Sequence, residues 1–377
     1  MDKRGDHHTR LSEIAKLFLK LGIIGFGGPA VHIAMMEEEV VRKKKWMDHD
    51  HFLDLVGATN LVPGPNSTEM TMHIGRERGG WKGLIVAGGC FILPAVIITA
   101  FFAWAYKRYG TMPQVEAFIY GIKPAIIAVI IVLMIRLGKP AFKTIELWIT
   151  GAVVAILAFA GCNEIYLLFG AGAAGMLLYA GRRKTSMMNI LPFALLQVNS
   201  FSIDASRWKL FWIFLKIGAI LYGSGYVLFA FLDTELVGKG LLSHKELTDA
   251  IAVGQFTPGP VFSSATFIGW QLGNLPGAIA ATIGIFLPSF LFVAFLNPLV
   301  PTLRKSRLMS AFLDSVNVAS IALILTVCIK LGKDAVHDWR TILIAVIGLL
   351  VTFYFKKLNT AFVIIGGGLL GYFLTLV

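Results

Sequence analysis

The chain has 377 residues, of which 56% are hydrophobic and only 15% charged. A soluble domain carries about 25% charged residues, so this composition excludes an ordinary soluble enzyme or binding module and points into the bilayer. The formal net charge of +12 then reads as Lys and Arg gathered on cytoplasmic loops, not as a nucleic-acid footprint.

In chain order, the start MDKRGDHHTRLSEIAKLF is polar and then amphipathic, with no signal-peptide cleavage pattern. A first helix is expected over 12–34, carrying Lys20 and the small-residue stretch GFGGP at 25–29. Gly27 and Gly28 there would let another element pack closely or form cavity wall. A second apolar segment, 51–75, is interrupted by PGPNST at 63–68. Apolar spans follow at 82–106, 114–136, 146–161 and 164–181. The fourth of these six elements carries Lys123 beside Pro124 near its centre. A charge there costs about 2.5–3.5 kcal/mol on insertion scales and asks for a function. Cys90, Cys162 and Cys328 have neither disulfide nor metal spacing.

The chain is then written a second time. FLKLG at 18–22 returns as FLKIG at 214–218, and PGP at 63–65 returns at 258–260. Asp54 matches Asp249, Asn60 matches Gln255, and Leu93-Pro94 matches Leu287-Pro288. The offset stays between 194 and 196 throughout, which is the mark of an internal repeat. The expected organisation is a first repeat over 1–181, a linker over 182–206 and a second repeat over 207–377. The fold class is an all-α polytopic membrane protein. Each half should hold about five transmembrane helices plus a re-entrant broken hairpin, and an odd number of crossings turns the second half upside down. The charges agree: RERGGWKG at 76–83 becomes WQLGNLPG at 270–277, while CNE at 162–164 is replaced by a segment with Lys356 and Lys357. Lys107, Arg108, Lys330, Lys333 and Arg340 run against that pattern, as does the N-terminal tail with Lys3, Arg4 and Arg10.

Matched broken helices in an inverted repeat mark a transporter's substrate site. Non-helical backbone at membrane depth survives only where protein buries it or water wets it. Helices are expected to restart near Asn66-Ser67-Thr68 and near Ser263-Ser264, with these residues as N-caps. Their free N–H groups and positive dipole ends would make an anion site. The candidate substrate-binding set is Asn60, Pro63, Gly64, Pro65, Asn66, Ser67 and Thr68, with Gln255, Pro258, Gly259, Pro260, Ser263 and Ser264 opposite. Lys20, Lys123, Lys216, Gly27 and Gly28 complete it; Lys20 and Lys216 can equally snorkel to an interface. Glu69 is the proton-coupling candidate, with His32 and His73 as hydrogen-bonded structural residues behind it. Asp54 and Asp249 read as helix caps or as ion pairs at the membrane edge.

FLKLGIIGFGGPAVHIAMMEEEVVRKKKW at 18–46, LVPGPNSTEMTMHIGRERGGWKGLIVAG at 61–88 and QFTPGPVFSSATFIGWQLGNLPGAIAATIGIFLPSF at 255–290 together resemble the chromate ion transporter (CHR) family, in its long two-domain form. The resemblance implies transport of chromate, commonly as efflux, with sulfate as a chemical look-alike. Val261 and Phe262 replace Asn66 and Ser67 in the second half, so the site is expected to be asymmetric, with more polar contacts from the first half.

The expected function is secondary transport of a tetrahedral oxyanion across the plasma (inner) membrane, one half rocking against the other. Expected partners are the oxyanion and the lipid bilayer, not nucleic acid, with a homodimer left open. No cofactor or metal is expected. A carrier or channel for another small anion is the alternative. An embedded enzyme finds no supporting motif in the spans.

Overall fold

The computed structural model describes residues 3–110, 112–183, 207–222, 225–296, 306–355 and 358–376. The expected linker lies outside the described residues from 184 on, as do Lys356 and Lys357. The described chain is helical. The first half runs α1 (Lys3–Ile24), α2 (Pro29–Glu37), a π-helical turn (Glu38–Lys43), α3 (His49–Thr59), α4 (Asn66–Tyr109), α5 (Pro113–Ala141), α6 (Ile145–Phe159) and α7 (Glu164–Arg183). The second half repeats this as α8 (Arg207–Ile220), α9 (Leu228–Leu232), a π-helical turn (Asp233–Val237), α10 (His244–Phe256), α11 (Ser264–Leu296), α12 (Arg307–Ala335), α13 (Trp339–Tyr354) and α14 (Thr360–Thr375). By length and composition α4, α5, α7, α11 and α12 can each cross a membrane, while α6, α13 and α14 are shorter apolar helices.

The expected first helix over 12–34 is instead two. Gly27 and Gly28 take φ of +107° and +83°, which no helix tolerates, and Pro29 opens a new one. The expected broken hairpin is present in both halves. In the first it is α3, the break at 60–65 and the short arm 66–78 of α4. That arm ends at a kink at Gly79 and Gly80, where Gly80 has φ +63°. The second-half kink falls on Gly273 and Asn274, where Asn274 has φ +51° and ψ −150°, a backbone region that glycine favours and that a side chain enters only under strain.

Packing regroups the halves. α1 lies along α4, α8 along α11, and α4 along α11, forming one body. The second body is interlocked: α5 packs between α13 and α14 of the other half, and α12 between α6 and α7. Small residues permit the close crossings. A Cβ on Gly121 of α5 would meet the Gly367 carbonyl at 2.2 Å and the Gly371 Cα at 2.6 Å. Gly121→Leu is therefore expected to cost at least about 1–3 kcal/mol of overpacking. It should lower the thermal midpoint in detergent, whereas Gly89→Ala, with nothing near its Cβ position, should not.

Candidate functional site

The two breaks are stitched crosswise. The Gly64 N–H donates to the Leu221 carbonyl at 2.8 Å, and the Gly259 N–H to the Gly25 carbonyl at 2.7 Å. Leu221 and Gly25 end the first helices of opposite halves and are repeat partners, so the contact is reciprocal, as a pseudo-two-fold requires. Pro63, Pro65, Pro258 and Pro260 remove four backbone donors that would otherwise need acceptors here. The two glycine N–H groups anchor the breaks and are not open to a ligand. Gly64 has φ +140° and Gly259 φ +92°.

Around the first break the residues are polar. Asn66 Nδ2 donates to Asn60 Oδ1 at 2.7 Å. Ser67 Oγ meets His32 Nδ1 at 3.3 Å, and the other His32 nitrogen meets the Gly25 carbonyl at 2.9 Å. His32 thereby ties α2, α4 and the end of α1 together, the structural role expected of it. In the second half the same two positions are Leu228 and Phe262, both buried, so the polar pair becomes an apolar one. Glu69 is fully buried one turn into α4, and Ser289 of α11 also reaches Gly64.

The expected N-caps are not formed. Pro65 occupies the cap position of α4 without a side-chain bond. A short 3₁₀ turn over Val261–Ser263 precedes α11, and Ser264 Oγ donates back to the Val261 carbonyl at 2.7 Å. Ser263 Oγ instead accepts from Thr99 of α4 at 3.2 Å. At the first break Thr68 and Glu69 N–H groups bond back to the Pro65 carbonyl, leaving those of Asn66 and Ser67 without an intrahelical acceptor.

Several buried polar atoms make no hydrogen bond within the described structure: Thr68 Oγ1, both Glu69 carboxyl oxygens, His73 Nε2 and Gln255 Nε2. Each such group costs about 1–3 kcal/mol of desolvation unless something answers it. Thr68, Glu69 and Gln255 lie at or next to the two breaks, while comparable atoms of Arg78, Asp233, His244, Asp249 and Arg340 lie elsewhere.

The lysines divide. Lys20 and Lys216 do not line the breaks. Lys20 pairs with Glu39 at 2.9 Å, and Lys216 with Glu235 at 2.6 Å. Lys43 and Lys239 join the same carboxylates at 3.2 and 2.5 Å, so each π-helical turn holds a Lys–Glu–Lys triad. The hydrogen bond from Lys20 holds the Glu39 carboxyl below the usual carboxylate range, with burial opposing and Lys43 assisting. That triad therefore contributes at neutral pH and is lost as the pH falls through the lowered value. The Glu235 side chain is 3% exposed against 14% for Glu39. Glu235→Gln should lower the thermal midpoint more than Glu39→Gln, whose half-exposed lysines are screened by solvent.

Lys123 is different. It pairs with Asp249 at 2.9 Å, the two side chains 14% and 2% exposed, and Tyr106 donates to the other Asp249 oxygen at 2.5 Å. Asp249 thus sits mid-helix in α10 as an ion-pair partner, not as a cap. Lys123 lines a cavity of about 250 Å³ together with Glu116, Tyr120, Lys245, Thr248 and His337 among others.

Sequence reasoning missed Glu39, Glu235, Tyr106 and Ser289. For the two glutamates a signal existed, because EEVVRK at 38–43 returns as TELVGK at 234–239 with Glu and Lys in register. Tyr106 and Ser289 have no repeat partner of their own kind (Val300 and Ala95), and nothing local betrays them.

A family model described as "Chromate transporter" matches residues 12–176 and again 208–372. The chromate transport protein of Cupriavidus metallidurans is 30% identical over 382 residues, covering 97% of this chain and 95% of that protein. A probable chromate transport protein of Synechococcus elongatus is 27% identical, over 96% of this chain and 95% of its own. The chromate transport protein of Pseudomonas aeruginosa is 28% identical, over 94% and 90%. No solved structure matches.

Proposed function

Because the chain belongs to the chromate transporter family, we propose that it is a secondary carrier that exports chromate across the plasma membrane, with sulfate as a competing dianion. The observation that carries this is the first break. The bonded Asn60–Asn66 amides, the N–H groups of Asn66 and Ser67 and the Ser67 and Thr68 hydroxyls all lie at the start of α4, where the helix dipole is positive. Such a set supplies hydrogen-bond donors to a tetrahedral oxyanion in place of its hydration shell.

Alternating access fits the regrouped packing. The unit that moves is the body of α1, α4, α8 and α11 with both hairpins, against the interlocked body of α5–α7 and α12–α14, the halves being inserted in opposite orientation. Direction follows from charge. Moving one charge through 100 mV is worth about 2.3 kcal/mol, so a dianion leaving a negative-inside cell gains about twice that and needs no coupled ion. Import would need protons or sodium to offset the same amount, and Glu69 is the candidate to carry a proton.

The test is counterflow. Proteoliposomes preloaded with sulfate should take up labelled chromate transiently above equilibrium, and Asn66→Ala should lose this. Equilibration without overshoot would make the protein a pore.

A further inference from the structure

The repeat makes each residue of one hairpin comparable with its partner, and the two hairpins sit differently. α10 is docked on the interlocked body, touching α5, α12 and α14. Its Asp249 and Gln255 are 2% and 6% exposed. Their partners, Asp54 on α3 and Asn60 just after it, are both exposed. α3 meets α12 at its C-terminal end, where Ala58 and Leu61 pack with Met309 and Leu313. The partner of Lys123 is Asn317 on α12, and it too is exposed.

Asn317 lies eleven residues into a helix of 29, and Arg307, Ser310 and the half-buried Asp314 share its face at helical spacing. Polar side chains at such depth face water or protein, not lipid. One turn on, Ser320 donates to the Tyr222 carbonyl at 3.2 Å, next to the Leu221 carbonyl that holds Gly64. The polar stripe therefore leads to the first break.

We propose that the crevice between α3 and α12 is the open access path of the anion, with Asn317 as a further anion contact, and that the 250 Å³ cavity beside α5 and α10 is its closed counterpart, shut by the Lys123–Asp249 pair. This rests on the carrier reading above. Arg307 opens α12 and the basic run Arg42–Lys45 precedes α3; basic residues gather on the cytoplasmic side, so the path opens to that face. The closed side carries a charged latch. The open side has Asn317 where the latch lysine would stand, and the ion pair on its stripe is the more exposed one of Asp314 with Lys143 at 3.0 Å.

The test is chemical access. Asn317→Cys and, nearer the mouth, Ser310→Cys are treated with a membrane-impermeant methanethiosulfonate in inside-out and right-side-out vesicles. The modified residue is read by peptide mass spectrometry, so the native Cys90, Cys162 and Cys328 stay in place. Both should react in inside-out vesicles only, and sulfate should slow Asn317→Cys several-fold without slowing Ser310→Cys. Thr248→Cys, on the closed side, should react at least tenfold more slowly from either face. Asp249→Asn, which opens the latch, should raise its rate in right-side-out vesicles. Labelling of Asn317→Cys from neither face, or equally from both, or without sulfate protection, overturns the proposal. Counterflow by the same preparations separates the two readings. Chromate exchange with an unlabelled Asn317→Cys fails the path alone, and one-sided labelling without exchange fails the carrier reading.

Discussion

Gly64→Ala is expected to abolish transport and to lower the thermal midpoint more than any other single substitution at the breaks. The backbone at Gly64 has φ +140°, a region that is essentially glycine's own, and forcing another residue there costs about 1–3 kcal/mol. The new methyl would also stand 2.3 Å from Glu69 Oε1 and 2.5 Å from Ser289 Oγ. Both are buried completely, so neither can swing into solvent to make room. Relief by turning the backbone would break the bond to the Leu221 carbonyl and free the break from the opposite half. Gly259→Ala should be milder. Its Cβ position is 2.8 Å from the Ala95 methyl and 3.5 Å from the Gly22 carbonyl, a less crowded place. Thermal unfolding of the two variants in detergent, beside counterflow, checks the order. Equal tolerance of both substitutions would show that the breaks are looser than described.

Asp249→Ala carries the second large effect. It leaves the Lys123 ammonium, 14% exposed, without its carboxylate in the protein interior. Removing one partner of a buried pair costs about 3–5 kcal/mol, much of it the stranded charge. Tyr106 loses its acceptor as well. Lys123→Ala combined with Asp249→Ala should recover part of the loss, because no charge is then left stranded. A double variant as unstable as the sum of the singles would mean that the two side chains do not interact.

The fold was legible because the chain states it twice. PGP at 63–65 and 258–260, in register with paired glycines, located both hairpins to within a few residues of α3–α4 and α10–α11. What stayed hidden is non-local. Nothing in the spacing of FLKLG and FLKIG says that Lys20 and Lys216 turn to the glutamates of the following π-helical turns. Nor does it say that Leu221 and Gly25 accept from the opposite break. The apolar pattern runs one helix through the GFGG stretch, whereas the structure ends α1 there, since two successive positive-φ residues cannot be helical. The clasp of α5 by α13 and α14 is equally invisible, because apolar spans in lipid carry no mark of which neighbour they choose.

The most direct measurement is uptake of labelled chromate into inside-out membrane vesicles, with and without an inside-positive potential and with sulfate as competitor. A dianion exporter should accumulate chromate only when the potential is applied, by a driving force of about 4.6 kcal/mol per 100 mV. Sulfate should suppress the accumulation and Asn66→Ala should lose it. A folded, monodisperse protein whose vesicles accumulate no more chromate than vesicles without it would contradict the account.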